Sequence, residues 1–252
     1  MARKDHYYNK SKQEGYRARS AYKLKQLDEE ANLIGEGETV IDLGAAPGGW
    51  LQVAKEQVGE SGTVVGVDLQ RIDELDGVET IRGDMTEEKT REEVRESVGS
   101  ADVVLSDMAP NMSGEYSLDH ARSVYLARQA FETALEMLDS GGDFVAKVFQ
   151  GPDLADLRDD IEDEFEYVRT MSPEASRDES SEVYLVARGY LTSPVEAGDT
   201  LEVTIENVGS EGDGIAKVEG YTLFVPSTEA GETVEIRVEE VKPRFGFAQK
   251  ID

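Results

Sequence analysis

The sequence predicts an α/β fold, with a seven-stranded, mostly parallel sheet in residues 1–192 and a small all-β barrel in residues 193–252. Three observations lead there. A β-branched run, Thr39 to Leu43, breaks at Gly44 into a turn of small residues, and the helical pattern of Leu51, Val53, Ala54 and Val58 follows. Strand and helix patterns then alternate until two strands come together just before residue 190, which predicts a parallel sheet with one late antiparallel strand. After Ser193-Pro194 only short alternating runs remain, separated by glycine-rich turns.

Taken in order, residues 17–33 read as a helix with Ala21, Leu24, Leu27 and Ala31 at helical spacing. After the strand at 39–43 and its helix, strands at 63–69 and 78–83 end on Asp68 and Asp84. An acidic helix over 86–98 leads to a strand at 101–107 that again finishes on an aspartate, Asp107. A loop over 108–116 precedes a long helix, with Asp119 as its expected cap and Gly141-Gly142 as its expected stop. Strands follow at 143–149 and 167–171, separated by a helix at 154–165, and the last strand of this part covers 182–189. In the barrel the runs are 200–208, 215–218, 221–225, 233–241 and 247–251, with Gly209-Ser-Glu-Gly-Asp-Gly214 as the most conspicuous turn.

Composition narrows the chemistry. The chain has no cysteine and two scattered histidines, His6 and His120, so disulfides and thiolate metal sites are excluded and no metal is expected. No apolar run approaches the ~18 residues that span a bilayer, and the expected location is cytoplasmic, as a monomer without membrane contact. A net charge of -28 ordinarily argues against a nucleic-acid partner. Spread over nearly every helix and loop, however, such a surplus resembles the surfaces of halophile proteins, where at ~1 M salt the Debye length is ~3 Å. The charge is also uneven. Residues 1–27 hold eight basic side chains against two acids, interleaved with Tyr7, Tyr8, Tyr16 and Tyr22, a composition suited to tracking phosphates and stacking on bases.

The junction at 44–50 is where open α/β sheets bind cofactors, because small residues admit a ligand to the backbone and the next helix offers unpaired N–H groups. Gly44, Gly48 and Gly49 do not form G-x-G-x-x-G, and Pro47 occupies the turn, so a dinucleotide is disfavoured. S-adenosylmethionine, which would place a small amino-acid group there, suits the loop. Asp68 is then placed for ribose hydroxyls, Asp84 for the adenine amino group, and Asp107 for the methionyl end. Lys147, inside Phe144-Val-Ala-Lys-Val-Phe149, is costly to bury without a partner or a role.

Asp42-Leu-Gly-Ala-Ala-Pro-Gly-Gly-Trp50, Ser106-Asp-Met-Ala-Pro-Asn-Met-Ser-Gly114, Val145-Ala-Lys-Val-Phe-Gln-Gly151 and Ser181-Glu-Val-Tyr-Leu-Val-Ala187 resemble the FtsJ/RrmJ family of ribosomal RNA ribose 2′-O-methyltransferases, over residues 15–190. The resemblance implies a Rossmann-like sheet, S-adenosylmethionine as cofactor, and a catalytic set of Lys23, Asp107, Lys147 and Glu182. It places cofactor contacts at Gly48, Trp50, Asp68, Asp84 and Asp107, beside Gly44 of the junction. Lys147 is either the base that removes the 2′-hydroxyl proton or a fixed cation that steers it. The implied substrate is a uridine of 23S ribosomal RNA, free or in the large subunit. A transfer RNA methyltransferase and a non-catalytic assembly factor of the same fold are the alternatives. Gly212-Asp-Gly-Ile-Ala-Lys-Val-Glu-Gly220, Phe224-Val-Pro226 and Gly231-Glu-Thr-Val-Glu-Ile-Arg237 resemble a TRAM domain, an OB-like barrel of RNA-modifying enzymes. RNA contacts are expected from Lys12, Arg17 and Arg19, and from Lys242 and Arg244 in the barrel near Phe245 and Phe247.

Overall fold

The computed structural model describes residues 2–176, 181–209 and 212–251, with side chains from residue 6 onward. The side chains of Arg3, Lys4 and Asp5, and the turn residues Ser210 and Glu211, lie outside that set. The chain runs through helices α1 (Ala2–Glu14) and α2 (Ala21–Ala31), strand β1 (Thr39–Leu43), helix α3 (Gly49–Val58), strands β2 (Thr63–Asp68) and β3 (Glu79–Arg82), and helix α4 (Glu88–Val98). Strand β4 (Ala101–Ser106), helix α5 (Tyr116–Met137), strand β5 (Leu138–Phe149), helix α6 (Leu154–Glu164), and strands β6 (Phe165–Met171) and β7 (Glu182–Tyr190) follow.

These seven strands form one sheet in the order β3-β2-β1-β4-β5-β7-β6. Pairing is parallel except around β7, which runs antiparallel to both β5 and β6. Strand periodicity sends alternate residues to opposite faces. Ile41 and Leu43 of β1 therefore pack with Val94, Val124, Ala127 and Leu157 on one side, and Val40 packs with Leu24, Leu27, Leu51 and Val53 on the other. Apolar contributions from α4, α5 and α6 cover the first face, and those from α2 and α3 the second. Strand order turns back between β1 and β4, which opens a crevice beyond their C-terminal ends, where ligands of such sheets bind.

Four expectations are corrected. The first helix of the sheet starts at Ala21, not at residue 17, because the Arg17 backbone N–H donates to Gln52 Oε1 at 2.8 Å and Gln52 Nε2 to the Gly15 carbonyl at 3.1 Å. Tertiary bonds to α3 replace the helical ones there. Asp119 does not cap α5, whose N-cap position is Glu115. Its carboxylate reaches back one turn to the Ser113 N–H at 2.8 Å and the Gly114 N–H at 3.1 Å. Gly141-Gly142 lies inside β5 and not at a helix end, since Leu138 already pairs with Ala101 and the two glycines sit at the irregularity that follows. Finally, the run 200–208 is two strands. The Ile205 N–H donates to the Glu232 carbonyl and the Glu206 N–H to the Ile215 carbonyl, so the chain changes neighbours in mid-run.

Residues Met1–Tyr190 and Leu191–Asp252 form two compact units. The second comprises β8 (Thr200–Thr204), β9 (Asn207–Val208), β10 (Gly214–Val218), β11 (Tyr221–Val225), β12 (Thr233–Val241) and β13 (Phe245–Lys250). They form a curled sheet ordered β8-β12-β13-β11-β10-β9 around Val203, Ile205, Leu223, Val225, Ile236 and Val238. No helix of the described residues is long and apolar enough to cross a membrane.

Candidate active site

Two adjoining hollows lie at the crevice. The larger, a cavity of about 670 Å³, is lined by Gly44, Ala46, Asp68, Asp84, Asp107, Met108 and Tyr125, among others. Gly44 has φ +77, and a Cβ there would stand 2.5 Å from Met108 Cγ, so both its backbone and its neighbour demand glycine. Asp68 Oδ2 accepts the Ala46 N–H at 2.9 Å and its Oδ1 the Gln70 N–H at 2.7 Å, which fixes the carboxylate against the turn. Asp84 Oδ1 accepts the Thr86 N–H and hydroxyl at 3.0 and 2.8 Å. Each keeps lone pairs for a ligand's hydroxyl or amino protons. Gly48 and Trp50 stand outside this lining. Gly48, at φ +104, precedes α3 with Arg17 3.0 Å from where a Cβ would sit, and buried Trp50 donates its indole N–H to the Ser20 carbonyl at 2.8 Å.

The smaller hollow, about 330 Å³, is lined by Arg19, Ser20, Lys23, Ala109, Met112, Lys147, Phe149 and Glu182. Ala109 lines both hollows and forms the wall between them, and Asp107 lines the cavity side. Lys147 Nζ donates to the Asp107 backbone carbonyl at 2.5 Å and to Asp107 Oδ1 at 2.9 Å. Lys23 Nζ is 2.6 Å from Glu182 Oε1, and both side chains are nearly buried. Burial pushes the Glu182 carboxyl up, but the Lys23 ammonium, with Lys147 beyond it, more than reverses this, and Glu182 titrates below the ordinary range. The structure thus brings Lys23, Asp107, Lys147 and Glu182, drawn from α2, the end of β4, β5 and β7, to one place.

Two residues were missed by sequence reasoning. Tyr184, opposite Lys147 in the β5–β7 register, donates its hydroxyl to Asp107 Oδ1 at 2.7 Å, and its ring lies 5.7 Å from Lys23 Nζ. Asp42 is buried in β1, and neither carboxyl oxygen has a hydrogen-bond partner among the described residues. Burial, with Asp107 and Asp68 nearby, pushes its carboxyl well above the usual range. The signal was available for Asp42: like Lys147, it is a charge inside an apolar strand.

The expected RNA-binding residues fare unevenly. Arg17 is tied into the protein, donating to the carbonyls of Pro47, Asp73 and Glu74 at 3.3, 2.6 and 2.7 Å. Arg19 lines the smaller hollow and donates to the Ala175 carbonyl at 2.6 Å. Residues 2–14 are helical, and most of the tyrosines expected to stack on bases pack inward instead. Tyr16 donates to Glu56, Tyr22 to Glu14, and Tyr7 accepts from Gln26, which leaves Tyr8 exposed with Lys12 over its ring at 4.5 Å. Lys242 pairs with Glu240 at 2.5 Å.

Residues 16–190 match the model of the FtsJ-like methyltransferases, and residues 194–251 match the TRAM domain. A Natronomonas pharaonis protein named ribosomal RNA large subunit methyltransferase E is 71% identical over the whole of both chains. One of the same name from Halorubrum lacusprofundi is 70% identical over all of this chain and 95% of its own. A Plasmodium falciparum crystal structure described as a ribosomal RNA methyltransferase superposes with a TM-score of 0.65 at 26% identity, over 71% of this chain and 100% of that one. With the glycine turn, the strand-end acids and the two lysine–carboxylate pairs in place, the chain belongs to the FtsJ-like methyltransferase family and carries a C-terminal TRAM domain.

Proposed function

We propose that the protein transfers a methyl group to the ribose 2′-hydroxyl of a uridine in large-subunit (23S) ribosomal RNA. The observation that carries this reading is the placement of Lys147 on Asp107, beside the Lys23–Glu182 pair, in a hollow that shares a wall with the acid-lined cavity. The names of the relatives support the substrate, and the resemblance of the four motifs supports the 2′-oxygen. Gly44, Asp68, Asp84 and Asp107 would hold S-adenosylmethionine in the cavity, and when bound it supplies an electrophilic methyl group.

A 2′-hydroxyl is a very weak acid and needs a base or a cation at its oxygen. Lys147 Nζ, held by the Asp107 carbonyl and carboxylate, lines the hollow, where it acts on the 2′-hydroxyl either as the base that removes its proton or as a fixed cation that steers it. The Tyr184 hydroxyl donates to the same Asp107 oxygen, Oδ1, and helps to fix the carboxylate. Lys23, held by Glu182, places a positive charge beside the developing alkoxide. Arg19 and Ser20 would take the flanking RNA backbone. These steps are set in the cytoplasm, with a monomer acting on free or assembled RNA.

Mass mapping of ribose methylation in a strain lacking the gene tests the proposal. Loss of one 2′-O-methyluridine from 23S ribosomal RNA, restored by the wild-type chain and not by Lys147→Ala, is expected. A loss confined to transfer RNA, or no loss, would overturn it.

A further inference from the structure

Strand β5 outruns its neighbour β4. Ser106 with Ala146 is the last register pair between them, and β5 continues to Phe149 with Lys147 in the overhang. On the β7 side the overhang stays paired, Lys147 opposite Tyr184 and Phe149 opposite Glu182. On the other side its backbone polar groups need partners, and side chains of α5 provide them. The Phe149 N–H donates to Ser123 Oγ at 3.0 Å, and His120 Nδ1 is 3.0 Å from the Phe149 carbonyl oxygen. A carbonyl only accepts, so Nδ1 carries the hydrogen. His120 is buried, and its Nε2 lies 3.3 Å from the Asp153 backbone nitrogen and 3.2 Å from Asp153 Oδ2, at the start of α6. The neutral ring accepts from the first and the protonated ring donates to the second, while Nδ1 keeps Phe149 in both states. Gly151 leaves the ring its room, since a Cβ there would stand 2.4 Å from His120 Nδ1. Next to it in the chain, Asp119 accepts the Ser113 and Gly114 N–H groups and so secures the loop that brings Ala109 and Met112 to the smaller hollow. The first turns of α5 thus fasten both walls, although His120 lines neither hollow.

We infer that His120 is a positioning residue for methyl transfer: by anchoring the Phe149 carbonyl, it sets where the end of β5 holds Lys147 against Asp107. The inference rests on the reaction proposed above and adds to it a group that touches none of the reacting atoms. A side-chain nitrogen follows the backbone that carries it, and a misplacement of about 1 Å at a reacting centre costs on the order of 10²-fold in rate. Lys147 is tied at its tip to Asp107 and at its backbone to β7, so the remaining freedom of the overhang is the side that faces α5. His120 and Ser123 close that side.

The test uses the full chain with saturating 23S ribosomal RNA and S-adenosylmethionine, and reads single-turnover methyl transfer beside the affinity for each. His120→Leu, which fills the space and donates nothing, should slow transfer by ~10- to 10²-fold and leave both affinities unchanged. His120→Asn, whose amide can donate from the place of Nδ1, should recover most of the rate. Gly151→Ala, which drives the ring from its place, should slow transfer as His120→Leu does, and the two losses should not add. The anchor is also read without any reaction: hydrogen exchange of the amides from Lys147 to Gln150 should quicken in His120→Leu and not in His120→Asn. A wild-type rate in His120→Leu, an equal loss in His120→Asn, or unchanged exchange would overturn the positioning role. A wild-type chain that transfers no methyl group to the RNA would instead sink the proposed reaction, and exchange alone would then decide whether His120 sets the end of β5.

Discussion

The α/β unit and the TRAM unit each depart from the ordinary rule of burial, in opposite directions. In the first, titratable groups sit inside an apolar sheet: Asp42 is buried on β1 and Lys147 on β5, with β4 between them, and Lys23 is buried on α2. In the second, phenylalanine rings stand on the surface of an acidic domain. Buried ions raise the strength of local electrostatics, which suits proton transfer and charge stabilisation. Exposed rings supply adhesion that salt does not screen. We propose a division of labour on this basis, with reaction in the α/β unit and retention of RNA in the TRAM unit.

The largest effect that would break this division concerns Lys147. Lys147→Ala should fold and keep cofactor affinity, because it leaves an apolar strand, while single-turnover methyl transfer falls by ~10²-fold or more, as for loss of a base or an electrostatic contact. Retained transfer would remove the reaction from this hollow. Next, Asp68→Ala should weaken S-adenosylmethionine binding by ~1 to 3 kcal/mol, the scale of a hydrogen bond to a charged group, and leave RNA affinity alone. Calorimetry showing no change would take that carboxylate out of the cofactor site.

A chain ending at Tyr190 sharpens the comparison further. Its cofactor affinity should match that of the full chain, and its RNA affinity should fall by about ten-fold or more through loss of a second attachment. Full activity at low RNA concentration would deny the TRAM unit a part in holding substrate.

The smallest effects are pH slopes, and they run in opposite senses. Asp42 titrates higher folded than unfolded, so its contribution to stability is complete below the unfolded value of ~3.9 and is lost as pH rises toward the folded one. Asp42→Asn should therefore gain on the wild type in urea denaturation as pH climbs above ~4. Glu182 titrates lower folded than unfolded, so its contribution is present above ~4.3 and is lost as pH falls through the folded value. Glu182→Gln should flatten that acid limb. Parallel slopes in wild type and variants would mean that neither carboxyl carries the electrostatics described here.

Much of this was legible from the sequence. The alternation of strand and helix patterns, the acids closing successive strands, and the glycine turn after β1 are local signals, and hydrophobic periodicity with turn chemistry fixes them before any tertiary contact forms. Lys147 declared itself because a lysine in an apolar strand is expensive, and Asp42 carried the same mark unread. What sequence could not supply were the facts that depend on chain neighbours far apart. Arg17, basic and early in the chain, reads as an RNA contact until the carbonyls of Asp73 and Glu74 take its guanidinium. Tyr16 and Tyr22 read as stacking rings until Glu56 and Glu14 accept their hydroxyls. The meeting of Lys23 with Glu182, and of Lys147 with Tyr184 through Asp107, was decided by strand order: β7 enters antiparallel beside β5, and no periodicity in one segment records which distant segment will pair with it. The same holds for Phe224 and Phe247, twenty-three residues apart, which become a single surface only because β11 and β13 are neighbours in register.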